Sequence, residues 1–346
     1  MRSRPRAQPT TTPDPTPIGR AAGRLADAAA RLSSAPRVWV GTHVDPDGDA
    51  IGSLLGLGWI LAGLGKEVAL ASQDSPPAEV RFLPGIARIT DGGPATGALA
   101  VAVDAADLGR LGRLVAPEEW ARFDTIVLDH HASNPGFGDV DVIRPECAST
   151  AEIVLALADA LGAPVGPEAA TCLLTGVVTD TIGFRTSSTT AETLDAARRL
   201  LGLGAPLASI MEAVFSRRPL GALRLVGRAL ERLEVRGRSG VTTLRQADLA
   251  ELGVAPSEVR GVSSMLATAA ELDAVGVLRE REDGTVDVSL RARPGVDLLP
   301  AARALGGGGH PLAAGATLRL PLAEAARLVA DGLAAAVALR ADPETA

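Results

Sequence analysis

Tyrosine is missing from this 346-residue chain, which has only five phenylalanines, three tryptophans, four histidines, two cysteines and a single lysine, Lys66. So few aromatic rings leave little on which a long single strand of nucleic acid could stack. One lysine and a formal charge of −7 exclude a basic surface that would hold long nucleic acid. Cys147 and Cys172 make neither a disulfide framework nor a repeated metal-ligand spacing, which suits a reducing cytoplasm and predicts two packed, inert thiols. A membrane-spanning helix needs roughly 20 apolar residues. The least polar stretch, Ala50 to Gly65, is bracketed by Asp49 and Lys66 and reads as a buried helix packed closely through Gly52, Gly56 and Gly58. Residues 1–17, rich in Thr, Pro and Arg without an apolar core, predict a disordered tail rather than a secretory signal.

The length fits two domains, and 47% hydrophobic residues can fill a core in each. Short apolar stretches at Val38–Gly41, Val68–Ala71, Leu99–Val103 and Thr125–Leu128 predict buried strands, and helical patterns follow at Thr150–Leu161 and Glu168–Val178. This alternation predicts an α/β domain with a mainly parallel sheet. After Arg185 the pattern is helical to about Leu233. Alternating segments at Val241–Leu244, Val275–Arg281 and Val286–Arg291 then predict a smaller α/β domain that ends with a helix over Leu322–Leu339. The expected division is a tail at 1–17, a first domain at 18–205, a helical linker at 206–235 and a second domain at 236–346.

The four histidines fall in three motifs: His43 in THVDPDGDAIGS, His130 and His131 in VLDHHAS, and His310 in LGGGGHPLAAG. Three predicted strands end at His43, at Asp104 and at Asp129, and ligands of open α/β sheets bind outside the carboxyl ends of strands, so these residues should converge. Asp47 and Asp49 follow His43 in a loop with Pro46 and Gly48, which can aim one imidazole and two carboxylates into a common space. The same residues also read as an acidic turn with a capping aspartate before the Ala50 helix. Asp104 reads as a ligand or as a strand-end turn residue, and Asp180 in GVVTDTIGF as a ligand or a helix-end polar group. Consecutive side chains of an extended segment face opposite ways, so His130 and His131 are expected to do different jobs, one on metal and one on substrate. Gly306 to Gly309 before His310 offer free N–H groups and an imidazole for an anion, or a plain hinge. Arg291 and Arg293, two apart on SLRAR, project to one face and read as phosphate contacts or a solvated pair.

Taken in order, His43–Asp47–Asp49, Asp104, Asp129–His130–His131 and Asp180 resemble the four motifs of DHH family phosphoesterases. With GGGGH at 306–310, the chain is similar to their nanoRNase and pAp phosphatase branch, particularly its actinobacterial type, over roughly residues 20–340. The resemblance implies a DHH catalytic domain at 18–205 and a DHH-associated substrate-binding domain at 236–346. It implies one metal on His43, Asp47 and Asp104 and a second on Asp49, Asp104, His130 and Asp180, with Asp104 bridging. His131 would face the phosphate and Asp129 would orient a neighbouring histidine, which makes Asp104, His131 and Asp129 the catalytic group. Arg291, Gly307, Gly308, Gly309 and His310 would contact substrate.

Two divalent ions about 3.8 Å apart repel by roughly 17 kcal/mol at an effective dielectric of about 20, so a bridging carboxylate and surrounding anions are required. Asp47, Asp49, Asp104 and Asp180 supply four charges, and metal binding would bring the formal charge from −7 to −3. Mixed imidazole and carboxylate ligands favour Mn2+, with Co2+ or Mg2+ as substitutes, and the absence of a nearby cysteine disfavours structural zinc.

The implied reaction is hydrolysis by metal-activated water, with very short RNA and linear dinucleotides cut to mononucleotides and 3′-phosphoadenosine 5′-phosphate (pAp) dephosphorylated to AMP. A short oligonucleotide gripped at its ends between two domains needs few aromatic platforms. No long duplex and no membrane is expected as a partner, the location is cytoplasmic, and a homodimer is compatible with the resemblance. Two positions depart from it: Ile182 stands where relatives commonly have glycine, and Ala267 where they often have a basic residue. The rival readings are a manganese pyrophosphatase, whose second domain would lack GGGGH with AAG, and a RecJ-like exonuclease, which would be longer. A non-catalytic nucleotide-binding module would be favoured by a lost metal ligand, and none is missing.

Overall fold

The computed structural model of the chain describes residues 17–216, 219–255 and 259–340, so the tail expected at 1–17 lies, apart from Pro17, outside the described residues. The chain divides into two compact units, 1–217 and 218–346. In the first, strands β1 (Arg37–Thr42), β2 (Glu67–Ala71), β3 (Ile89–Thr90), β4 (Leu99–Val103), β5 (Thr125–Asp129) and β6 (Val140–Ile143) make a parallel sheet in the order β3-β2-β1-β4-β5-β6. Around it lie helices α1 (Pro17–Ser34), α2 (Gly48–Gly63), α3 (Pro117–Trp120), α4 (Thr150–Ala160), α5 (Pro167–Asp180), α6 (Ala191–Gly202) and α7 (Leu207–Met211).

The central strands are apolar on both faces because both faces are covered. Val38 and Val40, Val101 and Val103, and Ile126 and Leu128 join the core built with α2, α4 and α5. Their alternates Trp39, Ala100, Ala102 and Val127 pack on the other face with Leu111, Leu114 and Trp120. Helix α2 is buried along most of its length, as its uncharged sequence requires. It meets α5 backbone to backbone: a Cβ on Gly52 would lie 2.5 Å from the Cys172 carbonyl oxygen and 2.9 Å from the Gly176 nitrogen.

In the second unit, helix α8 (Leu220–Glu231) precedes β7 (Glu234–Arg236), β8 (Ser239–Leu244), α9 (Gln246–Leu252) and α10 (Arg260–Leu266). Then come β9 (Ala274–Glu280), β10 (Val286–Ala292), α11 (Leu299–Ala304), β11 (Gly308–His310), β12 (Ala313–Leu318) and α12 (Leu322–Ala338). The sheet order is β11-β12-β10-β9-β8-β7, antiparallel except for the parallel β8–β9 pair. One face carries α12 through Val329 and Leu333 against Val288 and Leu290, and the other packs Val275 and Val277 against α8 and α10.

The segment expected as a separate linker, 206–235, is shared between the units. Ile210, Met211, Val214 and Phe215 join the first core, whereas Leu225, Val226 and Ala229 join the second. Every tryptophan and phenylalanine belongs to the first unit. The three indole N–H groups donate to carbonyls of Gly92, Pro84 and Phe137 at 2.9, 2.8 and 2.7 Å. Burial pushes the Cys147 thiol up to about 12 and the Cys172 thiol higher still, so both are inert as expected. Among the described residues no single helix is long and apolar enough to cross a membrane.

Candidate metal centre

Strands β1 and β4 are neighbours in the sheet although the chain leaves them toward opposite edges, which makes the gap between their carboxyl ends the topological switch point where such sheets hold ligands. His43 follows β1, Asp104 follows β4, and Asp129 closes the adjacent β5. Asp104 is in the left-handed region at φ 57°, which an aspartate tolerates better than most residues, and its N–H still donates to Leu128 at 2.9 Å. The carboxylate is thereby turned over the sheet's edge.

Three groups of side chains bring one ligand atom each to within 4.8 Å of one another: His43, Asp47 and Asp104; Asp49, His130 and Asp180; and Asp104, His130 and His131. Asp104 belongs to two of them. His43 Nε2 lies 3.5 Å from Asp104 Oδ2, and His130 Nε2 lies 3.6 Å from Asp104 Oδ1 and 3.2 Å from Asp180 Oδ2.

Asp47 is also the N-cap of α2, its Oδ1 accepting from the Asp49 and Ala50 N–H groups, so the capping reading and the ligand placement hold together. Asp49 is fully buried and accepts from Ser53 Oγ and from the Thr150 and Ala151 N–H groups at the start of α4. Thr150 Oγ1 in turn donates to Asp104 Oδ1 at 2.9 Å. One buried threonine thus ties a carboxylate of each metal group to the same helix end.

The two adjacent histidines do not point to opposite faces. The strand stops at Asp129, whose Oδ1 accepts the His130 N–H at 2.9 Å, and the two rings lie edge to face with centroids 4.6 Å apart. Their partners still differ: His131 Nδ1 is 2.7 Å from Asp129 Oδ1. Asn134 holds the other oxygen of Asp129 at 2.6 Å, which fixes the carboxylate that orients His131.

Burial, then repulsion from Asp47, lifts Asp49 to about 7 despite the N–H groups that favour its charged form. Burial and the neighbouring aspartates also hold Asp104 and Asp180 well above the usual carboxylate range. Burial works against the charge of Asp129, but the hydrogen bonds from His131 and Asn134 outweigh it and keep its carboxyl low. The same Asp129 bond raises His131, whereas burial followed by His131 repulsion lowers His130 and favours its neutral, ligating form.

This donor set fits divalent cations. Among the described residues Asp47, Asp49, Asp104 and Asp180 have no lysine or arginine partner, and Asp49 and Asp104 are buried, where carboxylates left without a cation are costly. The 3.5 and 3.6 Å contacts are too long for good hydrogen bonds, yet they approach the roughly 3.0–3.4 Å that separates two ligands on one ion with bonds of about 2.1 Å.

In the second unit Arg291 lies on β10, half-buried, its Nη1 donating to the Leu290 carbonyl at 2.9 Å. The glycine run is less open than its composition suggests. Gly306 and Gly307 donate to the Arg303 and Ala302 carbonyls at 3.0 and 2.8 Å, and Gly308 to His310 form the edge strand β11. His310 is exposed there. Arg293 falls just beyond β10, with Nη2 on the Ala269 carbonyl and Nε buried without a partner. Thr150, Asn134 and Arg110, which contacts His43, were not singled out by the sequence, because such residues are common at helix starts and turns and only the fold brings them to the centre.

The DHH family N-terminal domain profile matches residues 37–177, and the DHHA1 domain profile matches residues 241–336. The bifunctional oligoribonuclease and PAP phosphatase NrnA of Thermus thermophilus is 40% identical over 287 residues, 82% of this chain and 84% of that one. The Bacillus subtilis protein of the same name is 26% identical over 295 residues, 84% and 91% of the two chains. Among solved structures, an exopolyphosphatase-related protein from Bacteroides fragilis shares the fold with a TM-score of 0.84 at 24% identity, covering 91% of this chain and 96% of that one.

Proposed function

We propose that this chain, which belongs to the DHH family and carries a DHHA1 domain after its DHH domain, hydrolyses very short RNA and linear dinucleotides to mononucleotides and dephosphorylates pAp to AMP. The observation that carries the substrate reading is the 40% identity to an oligoribonuclease and PAP phosphatase across most of both chains. The restricted substrate length has independent support in this chain, since Trp39 and Trp120 are buried and the half-buried ring of Trp59 is covered by Arg88, which leaves no indole among the described residues free for stacking.

His43, Asp47 and Asp104 would hold one divalent ion and Asp49, Asp104, His130 and Asp180 a second, with Mn2+ suiting a set in which carboxylates outnumber imidazoles. When bound, the ions would acidify water and neutralise charge on the phosphoryl group. Thr150 holds Asp104 and Asp49 in place for that task. His131, kept readily protonated by Asp129, can donate a hydrogen bond to a phosphoryl or leaving-group oxygen. Arg291, Gly307, Gly308, Gly309 and His310 are proposed as contacts to the rest of the substrate, the guanidinium of Arg291, with no carboxylate partner among the described residues, suiting a phosphate.

The test is a Mn2+-dependent assay on 5′-labelled RNAs of two to about twenty nucleotides, run beside pAp and pyrophosphate. The expected result is mononucleotide release that falls steeply with length, together with AMP from pAp. Equal rates on long and short RNA, or activity on pyrophosphate alone, would overturn the proposal.

A further inference from the structure

The side chain of Arg110 stands next to His43. It sits on the 3-10 turn Leu108–Leu114 that follows Asp104, and its backbone is fixed at both ends: its N–H donates to the Asp107 carbonyl at 3.1 Å and its carbonyl accepts from the Val44 N–H at 2.7 Å. The guanidinium is half-exposed, with Nη2 2.8 Å from His43 Nδ1. Among the described residues no carboxylate pairs with it, although a cluster of them lies on the far side of the same imidazole.

His43 Nδ1 also lies 2.8 Å from the Val44 carbonyl oxygen. A single ring nitrogen can donate to that carbonyl or accept from the guanidinium, but not both. A histidine that ligates through one nitrogen carries its proton on the other, and His43 Nε2 is the nitrogen that faces Asp104 at 3.5 Å. The guanidinium carries several N–H donors and this contact engages one nitrogen, which leaves donors for an incoming anion. Arginine stays charged at any relevant pH and its planar fork of donors matches a phosphate group.

We propose that Arg110 is a phosphate-binding residue of this centre, its guanidinium held beside His43 where it can grip a phosphoryl oxygen of the substrate. The proposal rests on the phosphoesterase reading of the site.

Arg110→Gln and Arg110→Lys are compared with the parent chain for kcat and KM on pAp and an RNA dinucleotide, for inhibition by inorganic phosphate, and for Mn2+ binding by titration calorimetry. Removing a charge-assisted hydrogen bond is expected to raise KM and the phosphate inhibition constant together by about 10- to 100-fold, with Mn2+ affinity within about twofold and partial recovery in the lysine variant. Unchanged KM and phosphate inhibition, or a loss confined to Mn2+ affinity, would overturn the proposal and make Arg110 a residue that only positions His43. If the parent chain hydrolyses neither substrate, the functional reading fails separately. The perturbation of the Mn2+ resonance spectrum by inorganic phosphate then decides, since Arg110→Gln abolishes it if the proposal holds and preserves it if not.

Discussion

Ile182 has φ 49°, and the next two residues, Gly183 and Phe184, follow at 69° and 65°. A β-branched side chain in that region costs roughly 1–2 kcal/mol, which a glycine at the same place would not incur. The turn that closes α5 beyond Asp180 is thus kept without the residue that usually makes it easy, and the strain lies two residues from a candidate ligand. Ile182 is half-exposed, so replacement leaves no cavity. Ile182→Gly is expected to stabilise the protein by about 0.5–1 kcal/mol, the relieved strain less the extra freedom of an unfolded glycine. Thermal melting checks this, and a lower midpoint would show that the turn is not strained. The candidate ligands were legible in the sequence because aspartates and histidines clustered beside strand ends stand out. Thr150 and Arg110 were not, because a threonine at a helix start and an arginine in a turn are ordinary until the fold places them on Asp104 and His43.

At the scale of elements, the centre depends on how closely α2 and α5 pack. Asp49 lies in the first turn of α2 and Asp180 at the last residue of α5. A Cβ on Gly52 would strike the α5 backbone, and one on Gly176 would come within 2.5 Å of Asp49 Oδ1. Gly52→Ala is therefore expected to cost about 1–3 kcal/mol and, by pushing α2 away, to weaken Mn2+ binding as well, both readable from metal-dependent melting curves. An alanine variant with unaltered stability and metal affinity would show that the helices have slack.

The buried strands β1, β4 and β5 were legible because a strand covered on both faces has no polar alternates, whereas β2, expected buried, is covered only at Leu70 and Ala71. Their lateral order was not, since an apolar run does not say which neighbour it pairs with, and so the switch point between β1 and β4 emerged only from the fold. Strands β11 and β12 escaped for a different reason. Glycine and alanine carry little strand preference, and partners within the sheet impose that conformation on them.

Across the whole molecule, the raised carboxyls make stability depend on pH in a defined sense. Unfolded aspartates titrate near 3.9, whereas Asp49 in the folded protein titrates at about 7, with Asp104 and Asp180 also raised. The metal-free folded chain therefore holds protons that the unfolded chain has released. Its stability is greatest below about pH 4 on this account and is lost as pH rises toward about 7. Divalent ions displace those protons, so the stabilisation by Mn2+ should grow over the same interval. Calorimetry between about pH 5 and 8 should show a first-unit transition that falls with rising pH in chelator and recovers in Mn2+, while the second-unit transition ignores the metal. A metal-free transition that is flat with pH would contradict this.

The distribution of aromatic rings divides the molecule optically. With no tyrosine anywhere and every tryptophan and phenylalanine in residues 1–217, the second unit is dark in near-ultraviolet absorption and fluorescence. A fluorescence melt of the intact chain watches the unit with the candidate metal centre alone, and a transition seen by calorimetry but not by emission belongs to the other. The same holds for titrations: a ligand that touches only the second unit is silent, and one that shifts the emission has been felt by the unit that carries the carboxylates.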